Sequence, residues 1–267
     1  MKEKSTEHST KLNTIGKAIS VFEAIQSARQ PLSIKEIAEM VGLNKSSLHH
    51  HIKTLKEFGY LQQNPESRKY DIGLNLVRVG QAYLQRLDVR ERGHLFLEQL
   101  SQQLNETVHM LVLDHSQAVY VDKVDVQRPP GSLQCSSFIG MRTNLHSTAS
   151  GKVLLSNMEG AALDSILNNL QLPPVTQHTF TDLAAFKKEL TLTKNRGYGL
   201  DLQENGLGLQ CVAVPILNLH SQCIAAISAS TLVSNTSREA LEGEVLEKLK
   251  ETGLKISTAM GYIPAHP

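Results

Sequence analysis

The segment Pro31-Leu-Ser33-Ile-Lys-Glu36-Ile-Ala-Glu-Met40-Val-Gly42-Leu-Asn44-Lys45-Ser46-Ser47-Leu48-His49-His50 decides how the N-terminal part reads. Ser33 and Glu36 stand at capping-box spacing: the serine oxygen can take an orphan helix N–H, and the glutamate can return to the Ser33 N–H. Ile34, Ile37 and Ala38 then face inward on a short helix. Gly42 follows where a tight turn tolerates a left-handed backbone. Asn44 can cap a second, longer helix over residues 45–58, with Leu48, Ile52 and Leu55 on its apolar stripe and Gly59 as its stop. A short helix, a glycine turn and a longer helix make a helix-turn-helix.

The flanks complete a small module. Residues 14–28 read as a preceding helix whose Ile15, Ala18, Ile19, Phe22 and Ile25 recur at three- and four-residue steps; Pro31 ends it. After Gly59 come Tyr60-Leu-Gln, a polar turn through Asn64-Pro-Glu-Ser-Arg68-Lys69, and Tyr70-Asp-Ile, a two-stranded hairpin with a basic tip. A hairpin at this place is a wing. Lys45, Ser46, Ser47, His49, His50 and Lys53 lie away from the apolar stripe of the second helix; with Ser33 and the wing residues Arg68 and Lys69 they form a donor-rich set suited to phosphates and base edges. A protein-binding module with a solvated basic face is the competing reading. The run His49-His50-His51 does not suit a metal, because adjacent helical residues point about 100° apart.

Composition fits this reading. The chain has 267 residues, long enough for two unequal domains, with 40% hydrophobic and 20% charged residues. Net charge is +1, but residues 1–80 hold 12 Lys+Arg against 8 Asp+Glu, and the remainder 15 against 18. A mildly basic head on an acidic body fits an N-terminal nucleic-acid contact. No apolar run is long enough to span a membrane, and the polar start MKEKSTEHST lacks a secretory h-region. Three widely spaced cysteines, Cys135, Cys211 and Cys223, argue for a reducing cytoplasm rather than a disulfide framework.

The C-terminal part reads as α+β. Residues 74–87 look helical, and residues 95–104 resume a helical pattern after Val89-Arg-Glu-Arg-Gly93. Residues 108–113 and 118–124 read as a hairpin, 133–138 as a strand, 148–155 and 182–196 as helices, 211–216 and 223–228 as strands, and 238–260 as a closing amphipathic helix. Such a mixture implies a central antiparallel sheet with flanking helices.

Three segments sharpen this: Gly140-Met-Arg-Thr-Asn-Leu-His146-Ser-Thr-Ala-Ser-Gly151-Lys152, Arg196-Gly-Tyr-Gly-Leu-Asp201-Leu-Gln-Glu204-Asn-Gly-Leu-Gly208-Leu-Gln-Cys211-Val-Ala-Val-Pro215, and Ala225-Ala-Ile-Ser228-Ala-Ser230. In this order, behind a winged helix with Leu43-Asn-Lys-Ser-Ser-Leu, they resemble the IclR family of bacterial regulators over nearly the whole chain. The resemblance implies an N-terminal winged helix-turn-helix, a linker helix and a GAF-like effector domain, in a dimer that can pair into a tetramer, binding a double-stranded operator and controlling catabolic operons. It implies a pocket for a small organic, sugar or aromatic acid formed by Ala149, Ser150, Asp201, Cys211, Ser228 and Ser230, with His146 and Glu204 nearby. Members often carry Pro where Asn144 stands and Glu where Gln203 stands.

The residues favour the same site. A helix N-terminus seats a carboxylate, and hydroxyls at Ser150, Ser228 and Ser230 suit a hydroxylated or keto acid, so a sugar acid is preferred to a large aromatic one. The expected division is a flexible tail 1–11, a DNA-binding domain 12–73, a linker helix 74–88 and an effector domain 89–264. The expected role is a repressor; an activator answering an aromatic acid and a metal-responsive regulator are the alternatives. His146, Cys211 and Asp201 could be cast as a catalytic or zinc set but lack diagnostic spacing, so no catalytic residue, metal or cofactor is expected.

Overall fold

The computed structural model describes residues 14–84, 88–126 and 135–264, and the chain divides between Leu84 and Gln85 into two units. The expected tail 1–11, the expected helix end at Leu87 and the first residues of the strand expected at 133–138 lie outside the described residues.

The first unit comprises α1 (Thr14–Ala28), α2 (Ile34–Val41), α3 (Lys45–Glu57), β1 (Leu61–Gln63), β2 (Tyr70–Ile72) and α4 (Leu74–Leu84). The capping box is formed: Glu36 N donates to Ser33 Oγ at 3.3 Å, and Ser33 N donates to Glu36 Oε2 at 2.7 Å. Gly42 closes α2 at φ 65. Leu32 pairs with Tyr70 through two backbone hydrogen bonds, so the wing is tied back to the entry of α2. Val21, Ile25, Leu32, Ile37, Ala38, Leu48, Ile52, Leu61 and Tyr70 make the core. The apolar stripe expected on α1 is only partly the buried one. Val21, Ala24 and Ile25 face inward, whereas Ile15 and Ile19 are exposed. A helix with apolar residues on two sides does not reveal by periodicity which side its own module will use.

The second unit opens with α5 (Asp88–Leu104), followed by β3 (Thr107–Asp114), β4 (Gln117–Val124), β5 (Arg142–Thr143), α6 (Ala149–Ser156), α7 (Gly160–Asn169), α8 (Leu183–Arg196), β6 (Gly199–Leu202), β7 (Leu209–Leu217) and β8 (Cys223–Leu232). A last helical stretch runs from α9 (Arg238–Ala240) through a π-helical turn at Leu241–Val245 to α10 (Leu246–Ala259). One continuous antiparallel sheet has the order β5-β4-β3-β8-β7-β6. Gly93, read as part of a break, lies inside α5: a Cβ there would come within 2.5 Å of Met110 Cε, so the glycine is set by helix-to-sheet packing. Residues 135–138 form no strand, and the sheet edge is Arg142–Thr143 instead. α7 and the short strand β6 were not legible, the latter because it presents only four residues.

Strand alternation divides the unit into two layers. Val108, Met110, Val212, Val214, Ala225, Ile227 and Ala229 point to a core with α5 and α10. Leu111, Ala213 and Ala226 point the other way, to a second core with α6, Phe186 and Leu190. On that second face β6 runs against α6. A Cβ on Gly199 would lie 2.3 Å from the Ala149 carbonyl oxygen and 2.9 Å from Val153 Cγ2. Among the described residues no helix is long and apolar enough to cross a membrane.

Gly199→Ala must push β6 away from α6. Urea denaturation should show a loss of ~1–3 kcal/mol, the range for an overpacked interior.

Candidate functional site

On the first unit, α3 presents Lys45, Ser46, His49, His50 and Lys53 to solvent, with Ser47 on the same helix, while Leu48 and Ile52 are buried beneath. Its companion His51 turns inward, and burial lowers its pKa. The wing tip is built by Asn64, whose Oδ1 accepts from the N–H groups of Glu66 and Ser67. Arg68 leaves this turn at φ 57, a left-handed conformation that aims the chain back into β2. Lys69 Nζ stands 3.9 Å from Glu36 Oε2, so one acid serves both the α2 cap and the wing. Lys53 reaches Glu57 at 3.8 Å. Ser33 is engaged in the capping box through its oxygen, and its hydroxyl can still act as a donor. The structure therefore places the sequence-derived donor set on α3, the wing and the entry of α2.

The second unit holds a cavity of about 320 Å³ on the α6 side of the sheet. Its floor follows from the strand register. Thr107 of β3 pairs with Ser230 of β8, Ser230 with Cys211 of β7, and Cys211 with Asp201 of β6. These four stand in one row across four strands. The next row joins His109 to Ser228 and Ser228 to Ala213. Polar side chains in both rows share a face because successive pairs along each strand alternate. Cys211 Sγ and Ser230 Oγ lie 3.2 Å apart.

One wall is the start of α6. Thr148 caps it, its Oγ1 accepting from Gly151 N at 3.2 Å, and Ala149 and Ser150 of the first turn line the cavity. First-turn N–H groups lack acceptors within their helix and carry a partial positive charge. The opposite boundary is the segment Cys135, Ser136 and Ser137. Lys123 Nζ donates to the carbonyls of Cys135 and Ser137 at 2.9 and 2.8 Å, and His109 Nε2 lies 2.8 Å from Ser137 Oγ. Burial and the nearby Lys123 charge push His109 down to about 3, so it is a neutral imidazole at physiological pH. Burial also raises the Tyr120 phenol and carries the Cys211 thiol well above its usual range. A thiol so raised is no ready nucleophile.

The last boundary is the turn after β6, through Asn205, Gly206 and Leu207. Asp201 Oδ1 organises it, accepting from Glu204 N at 2.7 Å and Asn205 N at 3.2 Å. Ser147 donates to Asn205 Oδ1 at 2.9 Å, and Thr179 to the Glu204 carbonyl at 2.6 Å. Behind the turn lies Lys152, whose side chain is 1% exposed. Its Nζ meets Glu204 Oε1 at 2.6 Å and the Leu200 carbonyl at 2.7 Å, with the Phe180 ring 4.9 Å away.

Of the residues expected at an effector site, Ala149, Ser150, Asp201, Cys211, Ser228 and Ser230 all line the cavity. His146 and Glu204 do not. His146 is fully buried, with Nε2 at 3.1 Å from the Pro173 carbonyl and its ring edge-on to Phe186; Glu204 is the partner of Lys152. Sequence reasoning missed Thr107, His109, Tyr120, Ser137, Thr143 and Asn205 in the lining. Alternation along residues 107–111 would have shown the first two. Arg142, close in sequence to the α6 entry, is exposed on β5 and paired with Asp114, so no Arg or Lys is among the described lining residues. Among the described residues no cluster of three His, Cys, Asp or Glu could hold a metal.

A winged helix followed by an α+β unit with a cavity lined by both polar and apolar side chains defines a class of transcription regulator. The chain belongs to the IclR family: a model described as the IclR helix-turn-helix domain matches residues 14–65, and one described as bacterial transcriptional regulator IclR C-terminal matches residues 81–258. The HTH-type transcriptional regulator XynR of Escherichia coli K12 is 35% identical over 253 residues, covering 94% of this chain and 98% of that protein. The crystal structure of the Thermotoga maritima IclR superposes with a TM-score of 0.78 at 32% identity, covering 94% of this chain and 99% of the other. An IclR homolog from Microbacterium hydrocarbonoxydans, crystallised with 4-hydroxybenzoate, shares the fold at a TM-score of 0.81 and 21% identity, with 93% and 99% covered. The chain is thus a DNA-binding transcriptional regulator, as its relatives are, and not an enzyme.

Lys152→Met would leave Glu204 buried without its counter-charge. A loss of about 3–5 kcal/mol is expected for a broken buried pair. It should be smaller in acidic than in alkaline buffer, because burial already raises the Glu204 pKa and a proton can neutralise the stranded acid. Urea titrations of both proteins in the two buffers check this.

Proposed function

We propose that this protein is a cytoplasmic repressor of a catabolic operon, relieved by a small organic or sugar acid that occupies the cavity of the second unit. The observation that carries the reading is the lining itself: a helix start at Ala149 and Ser150 facing hydroxyls at Thr107, Ser228 and Ser230, with no lining cation among the described residues. A carboxylate suits the helix N-terminus, and hydroxyl or keto oxygens suit the serine row. A volume of about 320 Å³ is at the low end for small-molecule sites, which favours a compact ligand. Leu111, Met141, Leu207, Leu209 and Leu232 add an apolar side, so an aromatic acid of the size of 4-hydroxybenzoate is the rival ligand.

DNA contact falls to Ser33, Lys45, Ser46, Ser47, His49, His50 and Lys53, with Arg68 and Lys69 on the wing. α3 would enter the major groove and the wing would follow the adjoining backbone. Operators of two half-sites require a two-fold dimer. Leu74, Val77, Val79 and Tyr83 of α4, with Ile15 and Ile19 of α1, are exposed apolar residues that a second copy would cover, and a dimer of dimers extends the same scheme. The tail 1–11, a DNA-binding domain 12–73, a linker 74–88 and an effector domain 89–264 are the working division. A ligand preferring one arrangement of the dimer would change the separation of the two heads through the linker.

Arg68→Glu combined with Lys45→Glu should abolish measurable binding to duplex DNA. Single Arg68→Ala should reduce the slope of log affinity against log salt by about 1. Fluorescence anisotropy over a salt series reads both; unchanged affinity would remove the wing and α3 from the interface. A thermal-shift screen of small keto, aldonic, uronic and aromatic acids tests the cavity, since a ligand of the folded state raises the melting temperature by mass action. Hits confined to sugar acids support the serine row as the selecting feature. Hits confined to aromatic acids transfer selection to the apolar side, and none at millimolar ligand ends the acid-sensor reading.

A further inference from the structure

Three carboxyls cluster where β6 meets α6 and α8, and the nearby cations serve only two of them. Lys152 Nζ lies 2.6 Å from Glu204 Oε1 and 3.7 Å from Glu189 Oε1, while Arg196 Nη2 lies 2.8 Å from the same Glu189 oxygen. Asp201, the third, is 1% exposed and in no ion pair among the described residues. Its hydrogen bonds come from two backbone N–H groups, and both end on Oδ1. Oδ2 is the oxygen left to the cavity that Asp201 lines.

The groups facing Asp201 do not supply a counter-charge. Cys211 stands opposite on β7, Tyr120 comes from β4, and His109 from β3. Burial raises the first two and lowers the imidazole, so all three are neutral at physiological pH. Lys152 is already shared between two glutamates, and Glu204 adds a like charge on the same turn. An isolated buried carboxylate is the costly form.

We propose that Asp201 stands in the cavity wall as a neutral carboxylic acid and donates a hydrogen bond from Oδ2 to an oxygen of a bound carboxylate, so that it selects anionic ligands instead of repelling them. The surrounding burial and the Glu204 charge push the group up to about 7, so at neutral pH about half of the unliganded protein carries the proton and a bound anion draws the remainder toward that form. An ionised Asp201 would discriminate against the acids that the α6 terminus attracts. Because a bound anion favours the protonated form, ligand and proton bind together, and affinity falls as pH rises above about 7. The ligand half of this rests on the cavity being the effector seat; the protonation state does not.

Asp201→Asn separates the two. The amide has the shape of the neutral acid, with an oxygen for the two backbone donors and an N–H for the cavity. Folded Asp201 keeps a proton that the unfolded chain releases near 3.8, so wild-type stability is eroded as pH rises from there to about 7. Urea unfolding of the full chain should show the folding constant of Asp201→Asn gaining on wild type about tenfold per pH unit across that window, then levelling off. A ratio that stays flat overturns the proposal. Should the variant not fold, wild-type protein carrying carbon-13 at the aspartate carboxyls serves: one resonance titrating near neutrality supports it, and all titrating near the ordinary value of about 3.9 overturns it. Sodium acetate is the probe for the second half. It should move the same titration upward where sodium chloride at equal ionic strength does not; no movement overturns donation to an anion. A failed acid screen with the neutral titration intact would instead count against the effector reading alone.

Discussion

The ion pair between Lys152 and Glu204 is what the cavity side of the second unit depends on. A lysine with a 1% exposed side chain is expensive to bury, and the cost is offset only because Glu204 and the Leu200 carbonyl meet its ammonium at hydrogen-bond distance. Its position forces three elements together. Lys152 belongs to α6, Leu200 to β6, and Glu204 to the turn that follows β6, while Glu189 and Arg196 bring in α8. Once Glu204 is held, Asp201 can collect the two N–H groups of the turn, and Asn205 can take the Ser147 hydroxyl beside the α6 cap. The residues that could meet a ligand are thus fixed from behind by a buried charge that does not touch the cavity.

The first unit uses the same economy at smaller scale. Glu36 completes the α2 cap and also faces Lys69 on the wing, while Leu32 and Tyr70 exchange two backbone hydrogen bonds. The wing and the start of α2 are therefore positioned by one another before any DNA is present. A preformed reading head keeps ordering entropy out of the binding step. Most of its basic side chains are exposed, as the proposed phosphate contacts would require.

The proposed coupling of a compact acid to DNA release would ask little energetically. A coupling of about 1–3 kcal/mol between the two sites changes the affinity at the second by about 5- to 150-fold. A cavity with a rigid sheet floor, a helix start as one wall and a hydrogen-bonded turn as another can supply that difference through small displacements of α6 and the turn. A proton carried by Asp201 would make the same site answer to pH as well as to ligand.

Local signals in the chain determined a good deal. The Ser33–Glu36 cap, Gly42 and the stripe of Leu48 and Ile52 specify the helix-turn-helix, because capping and helical periodicity act over three or four residues. The three motifs in order pointed to the family and to six residues that do meet around one cavity. What lay beyond was set at long range. Nothing near Ile15 or Ile19 announces that α1 buries Val21 and Ala24 instead, and Gly93 reads as a break until Met110 is seen against it. His146 and Glu204 sit inside the right motifs, yet Phe186 and Lys152 draw them out of the cavity. Thr107 and His109 join it only because the register of β3 on β8 sets them opposite Ser230 and Ser228. Sequence spacing carries the type of each element and the chemistry of its side chains; which faces meet, and which acid is left without a cation, is decided by pairing between residues tens of positions apart, which only the tertiary structure fixes.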